Sequence, residues 1–171
     1  MTFNEDDRQR ARAIIDAYPV ARSAVMPLLH LAQDRDGWVT PEAMREIAEM
    51  LALTPAEVLG VCAFYTMYKR EPVGNLVVSV CTNVTCLVRG GPELYDRLQH
   101  HYADDGDVFV EEVECLAACD GAPCLQVNYE YHLDMTPETA VEIVDAYRSG
   151  QRRARGVSGG ASAPVASGGG A

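Results

Sequence analysis

The fold class this sequence predicts is α/β: a mixed strand–helix domain preceded by an N-terminal helical bundle. Three observations carry it. The first 70 or so residues hold amphipathic runs and little that reads as strand. β-Branched, nearly continuous apolar segments begin only at Leu76. Three Thr-Pro pairs mark helix starts, in Thr40-Pro41-Glu42, Thr54-Pro55-Ala56-Glu57 and Thr136-Pro137-Glu138. Each sets an N-cap hydroxyl before a proline at the first helical position, where a missing N–H costs nothing. The second adds Glu57 three residues after the cap, a capping box.

In chain order, helices are expected at about 5–17, 22–34, 41–51, 55–67, 92–103 and 137–148. Ala43, Ile47 and Leu51 recur at i, i+4, and Ala140, Ile143, Val144 and Tyr147 recur at i, i+3, i+4, i+7, so each set forms one apolar face. Leu76-Val77-Val78-Ser79-Val80 reads as a strand buried on both faces. Val108 to Val113 and Cys124 to Asn128 are the next two strands, and Tyr131-His132-Leu133-Asp134 closes a short hairpin. The order after residue 75 is β-α-β-β-β-α. The chain therefore divides into a helical segment, 1–72, an α/β domain, 73–148, and a tail, 149–171, with Pro72-Val73-Gly74 at the join. The tail holds an arginine cluster (Arg152, Arg153, Arg155) and then Gly, Ala and Ser, too little apolar surface to offset ordering entropy, so disorder is expected there.

Composition narrows the function. The 171 residues are 48% apolar, enough for a packed core, and carry a net charge of −11. No basic stripe exists to neutralise phosphates, which argues against nucleic acid and against anionic lipid. No apolar run approaches the roughly 20 residues that span a bilayer. The acidic start Met1-Thr2-Phe3-Asn4-Glu5-Asp6-Asp7 lacks the basic and apolar regions of a signal peptide, so a cytoplasmic protein with reduced thiols is expected.

Chemistry concentrates in cysteine. Cys81 and Cys86 form a C-x4-C pair, and Cys115 and Cys119 a C-x3-C pair. Cys81 falls at a strand end with Cys86 in the loop after it, and the second pair repeats that placement. Open α/β sheets hold ligands at such strand ends. Four thiolates can hold an iron–sulfur cluster or a tetrahedral zinc. The wide spacing favours a two-iron cluster modestly and leaves a zinc-stabilised interaction module open. Cys62 sits mid-helix and reads as core packing; Cys124 reads as a structural thiol opening a strand. None of the four histidines, His30, His100, His101 and His132, lies within a few residues of a paired cysteine, so all-cysteine ligation is favoured over a Rieske-type site. His100 and His101 suit a helix C-terminus. Glu111, Glu112, Glu114 and Asp120 crowd the second pair, either as a solvated loop or as charge that lowers a cluster's potential. Arg89-Gly90-Gly91-Pro92 begins a helix and lacks the spacing of a dinucleotide fingerprint, so NADH and flavin have no site on this chain.

Several separated segments, in order, resemble the thioredoxin-like [2Fe–2S] ferredoxin family. They are Val80-Cys81-Thr82-Asn83-Val84-Thr85-Cys86 with Arg89-Gly90-Gly91, and Glu114-Cys115-Leu116-Ala117-Ala118-Cys119 with Ala122-Pro123. Gly37-Trp38-Val39, Gly60-Val61, Phe64-Tyr65-Thr66-Met67-Tyr68 and Pro72-Val73-Gly74 extend the match to roughly residues 10–148. Two positions depart from the family: Ala117, where glycine is usual, and Cys124, where an aliphatic residue or Met is usual. Within the family the pattern is similar to the small subunits that sit beside the flavin subunit of NADH:quinone oxidoreductases. That resemblance implies a thioredoxin-like domain holding one [2Fe–2S] cluster on Cys81, Cys86, Cys115 and Cys119. It implies a non-catalytic, electron-carrying subunit that exchanges single electrons with the FMN of an NADH-binding partner, among other peripheral-arm subunits on the cytoplasmic side of the membrane. The alternative it leaves open is the small subunit of an NAD-linked hydrogenase or formate dehydrogenase.

Overall fold

A computed structural model describes residues 3–152. Four helices come first: α1 (Glu5–Asp16), α2 (Val25–Asp36), α3 (Pro41–Leu51) and α4 (Pro55–Phe64). The α/β part follows as β1 (Leu76–Cys81), α5 (Val84–Val88), α6 (Gly91–His101), β2 (Val108–Val113), β3 (Leu125–Val127), β4 (Glu130–His132) and α7 (Pro137–Arg148). All three Thr-Pro starts cap as expected: Thr40, Thr54 and Thr136 each accept a backbone N–H from the third residue on. Most of the tail expected to be disordered lies outside the described residues. Its first residues fold back, with the Arg152 amide donating to the Ala146 carbonyl at 3.0 Å.

The sheet order is β2-β1-β3-β4. β1 runs parallel to β2 with Leu76 opposite Val108, and antiparallel to β3 with Val80 opposite Leu125. That position makes β1 central, which explains its continuous Val-rich run. Val78, Val80, Leu125 and Val127 join Leu94 and Leu98 of α6 and Val144 of α7 in one core. A separate core, from Phe3 to Tyr68, gathers Leu28, Leu29, Ile47 and Val58. Where one core ends and the other begins, Lys69 and Glu111 form an ion pair, and Glu111 also accepts from the Ser79 hydroxyl at 2.8 Å.

Two helices differ from the sequence expectation. α2 starts three residues later than the 22–34 expected, because Ala21–Ala24 form a 3₁₀ turn. α4 stops at Phe64 instead of 67, where Tyr65 turns extended (φ −96°, ψ 111°). α5 replaces an expected loop. Among the described residues, no single helix is long and apolar enough to cross a membrane.

Candidate metal centre

Each cysteine pair is built by the end of one strand. Cys81 is the last residue of β1, and its amide donates to the Cys124 carbonyl at 3.2 Å, so it is fixed against the residue that precedes β3. The chain then turns through Asn83, whose side chain caps α5 by accepting from the Val84 amide, and Cys86 lies inside that five-residue helix. α5 and α6 are nearly continuous because Gly90 takes a left-handed conformation (φ 94°) between them. Gly91 lies so close beneath both cysteines that a Cβ there would stand 2.7 Å from the Cys81 carbonyl oxygen and 2.9 Å from that of Cys86. Only glycine permits that approach.

The second pair follows β2. Cys115 comes two residues after its end, in a loop tied down by Tyr131, whose hydroxyl donates to the Leu116 carbonyl at 2.9 Å. Cys119 opens a 3₁₀ turn, Cys119–Gly121, which runs into a cis Ala122-Pro123 bond and then Cys124. Arg89 Nε donates to the Ala122 carbonyl at 3.2 Å and so joins the two cysteine-bearing loops. Ala117 sits at φ 55°, a left-handed conformation that costs an L-residue roughly 1–2 kcal/mol. The glycine usual in the family would adopt it freely.

Burial and electrostatics separate the thiols. Cys81, Cys86 and Cys124 are buried, whereas Cys115 and Cys119 are exposed. The Cys81, Cys86 and Cys124 sulfurs all lie within 4.8 Å of one another, and Cys86 and Cys124 are 3.8 Å apart. Burial pushes the Cys81 thiol up, but amide donation from Asn83 and Leu116 and the adjoining thiols of Cys86 and Cys124 outweigh it, so Cys81 is the more acidic. Cys86 is raised by burial despite an amide donated by Cys124. Cys124 is pushed up to about 12 by burial and by the neighbouring Cys86 and Cys81 sulfurs. The Leu116 amide that serves Cys81 belongs to the Cys115 loop, and Leu116 and Ala118 pack against the buried thiols, so the second pair's loop lies against the first pair. Sulfur-only donors with amide N–H groups aimed at them suit soft, anionic iron–sulfur chemistry.

Of the other residues singled out in the sequence, Cys62 packs in the helical core. His100 and His101 sit in the last turn of α6. Glu111 is engaged by Lys69, and the Glu112 carboxylate accepts from the Thr82 hydroxyl at 2.5 Å, so these two acids are partnered. Cys124, only five residues after Cys119, was already expected as a fifth thiol near the site; what the structure adds is its contact with the Cys86 sulfur. The usable signal was its place directly before β3, the strand paired with β1, which brings it beside the end of β1. Beside the metal centre, between the helical segment and the sheet, lies a cleft of about 880 Å³ lined by Phe64, Lys69, Ser79, Glu111, Cys115 and Gln126 among others.

The family model for thioredoxin-like [2Fe–2S] ferredoxins matches residues 11–148. A relative from Mycobacterium tuberculosis, a subunit of NADH-quinone oxidoreductase, is 48% identical over 146 residues, covering 81% of this chain and 58% of the relative. This chain therefore spans under two thirds of that relative's length. A second relative, NADH-quinone oxidoreductase subunit 2 of Thermus thermophilus, is 35% identical over 162 residues, covering 89% of this chain and 90% of the relative. Among solved structures, an air-oxidised NAD+-reducing [NiFe]-hydrogenase aligns with a TM-score of 0.62 at 18% identity, over 75% of this chain and 23% of that one, a likeness of fold.

Proposed function

Because this chain belongs to the thioredoxin-like [2Fe–2S] ferredoxin family, we propose that it is the cluster-bearing, electron-carrying subunit of an NADH:quinone oxidoreductase. The observation that carries this is the apposition of two strand-end cysteine pairs, the first buried and served by the second's loop amide. Cys81, Cys86, Cys115 and Cys119 are the proposed ligands. A [2Fe–2S] cluster bound there supplies one-electron chemistry, and the protein supplies position and electrostatics.

The chain's own residues have distinct tasks in this reading. The amides of Asn83 and Leu116, which donate to the Cys81 sulfur, offset negative charge at the ligands. Gly91 lets α6 close under the first pair. Val84, Leu87 and Val88 of α5 stand exposed beside buried Cys86. Such an apolar patch suits the approach of a partner protein. That partner carries the FMN and binds NADH, and the helical segment 1–72 embraces it while 73–148 holds the cluster. On this reading the assembly places the chain at the cytoplasmic face of the membrane.

The test is electron entry. When the full chain is loaded with cluster and mixed with the flavin subunit, NADH should bleach the cluster's visible absorption; without that subunit NADH should leave it unchanged. Reduction by NADH alone, or none with the flavin subunit present, would contradict the proposal.

A further inference from the structure

The five thiols at this centre divide unevenly. Cys81, Cys86 and Cys124 are buried, with all three sulfurs within 4.8 Å of one another; Cys115 and Cys119 are exposed and outside that group. Sulfurs bound to one tetrahedral ion at about 2.3 Å lie roughly 3.8 Å apart, by the geometry of the tetrahedron. Cys86 and Cys124 already stand at 3.8 Å. Cys81 needs a shift of no more than about 1 Å to complete the face, within the reach of a side-chain rotation.

The geometry points to a mononuclear site: in the cluster-free chain, Cys81, Cys86 and Cys124 together hold one thiophilic divalent cation of the Zn2+ class, with water as fourth ligand. Three donors from the protein and one from solvent is an ordinary arrangement for such an ion. Binding converts the three thiols to thiolates and releases their protons to solvent. Three thiolates and a dication leave one net negative charge. A thiol that only filled the core would need no sulfur neighbours; Cys124 has two. Since Cys81 and Cys86 also belong to the ligand set proposed for the cluster, the two occupants exclude each other. A bound Zn2+ then blocks cluster assembly until it is removed.

The experiment uses the reduced, cluster-free full chain titrated with Zn2+ against a chromophoric chelator. One ion per chain should bind to the wild type and equally tightly to Cys119→Ser. Cys124→Ala should bind at least about 100-fold more weakly, beyond the 10–100-fold cost usual for residues outside the ligand shell. A second measurement on the wild type needs no variant: in the zinc complex Cys115 and Cys119 should remain open to alkylation. Undiminished binding by Cys124→Ala, loss of the ion in Cys119→Ser, or zinc shielding of Cys115 and Cys119 would each overturn the site. Should Cys124→Ala fail to fold by circular dichroism, the wild-type alkylation pattern decides. Neither outcome bears on the electron-entry test, so failure of the zinc site and failure of the proposed function are separable.

Discussion

Gly91 shows how much of the metal centre rests on one missing side chain. In Gly91→Ala the new Cβ meets two backbone carbonyl oxygens, those of Cys81 and Cys86, at 2.7 and 2.9 Å. Neither can swing aside as a side chain would, so α6 must shift away from the first pair. The expected cost is about 1–3 kcal/mol, the usual scale of overpacking, together with reduced iron loading. Urea midpoints and iron content on the same preparation check it, and wild-type values for both would refute the account. The four paired cysteines were legible in the sequence because their spacing and strand-end placement follow from local pattern. The steric role of Gly91 was not, since it depends on how a helix starting at one residue packs beneath carbonyls five and ten residues earlier. Cys124 was read as a structural thiol near the site, and which sulfurs it meets depends on the long-range β1–β3 pairing. Ala117 was legible only as a departure from the family; that it costs strain needed its φ of 55°.

At the scale of elements, caps and apolar periodicity placed α1, α3, α6 and α7 within about two residues. α5 escaped because five residues are too few to display a period, and its exposed valines resemble strand more than helix. α7 and β4 meet through His132, whose Nε2 lies 3.2 Å from the Tyr147 hydroxyl. Burial, aided by nearby Arg152 and opposed by Glu130, lowers the His132 pKa below its ordinary 6.5. His30 is lowered as well, again mainly by burial, with Asp34 opposing. On acidification below about 6.5 the unfolded chain takes up these protons first. Stability is then full above that pH and falls as pH drops through the window between the unfolded and folded values. His132→Gln should flatten this slope, with His30 supplying what remains. Urea midpoints at about pH 5.5 and 7.5, either side of the ordinary histidine value, measure it; an unchanged slope in His132→Gln would remove His132 from the account.

Across the whole molecule, one apolar core reaches Tyr68 and the other begins at Leu76. The Lys69–Glu111 pair joins them beside the cysteine loops and fixes the edge of the cleft. The sequence could place each core but not that bridge, because it spans 42 positions and unites a helical segment with a strand. Everything proposed about electron transfer depends on what the four paired thiols hold. The most direct measurement is iron and zinc content, with EPR before and after dithionite, on the full chain reconstituted anaerobically and on Cys119→Ser. The account predicts two irons per wild-type chain, a one-electron signal only after reduction, and severe loss of both in Cys119→Ser. Stoichiometric zinc with no iron uptake by the wild type, or a full cluster in Cys119→Ser, would contradict it.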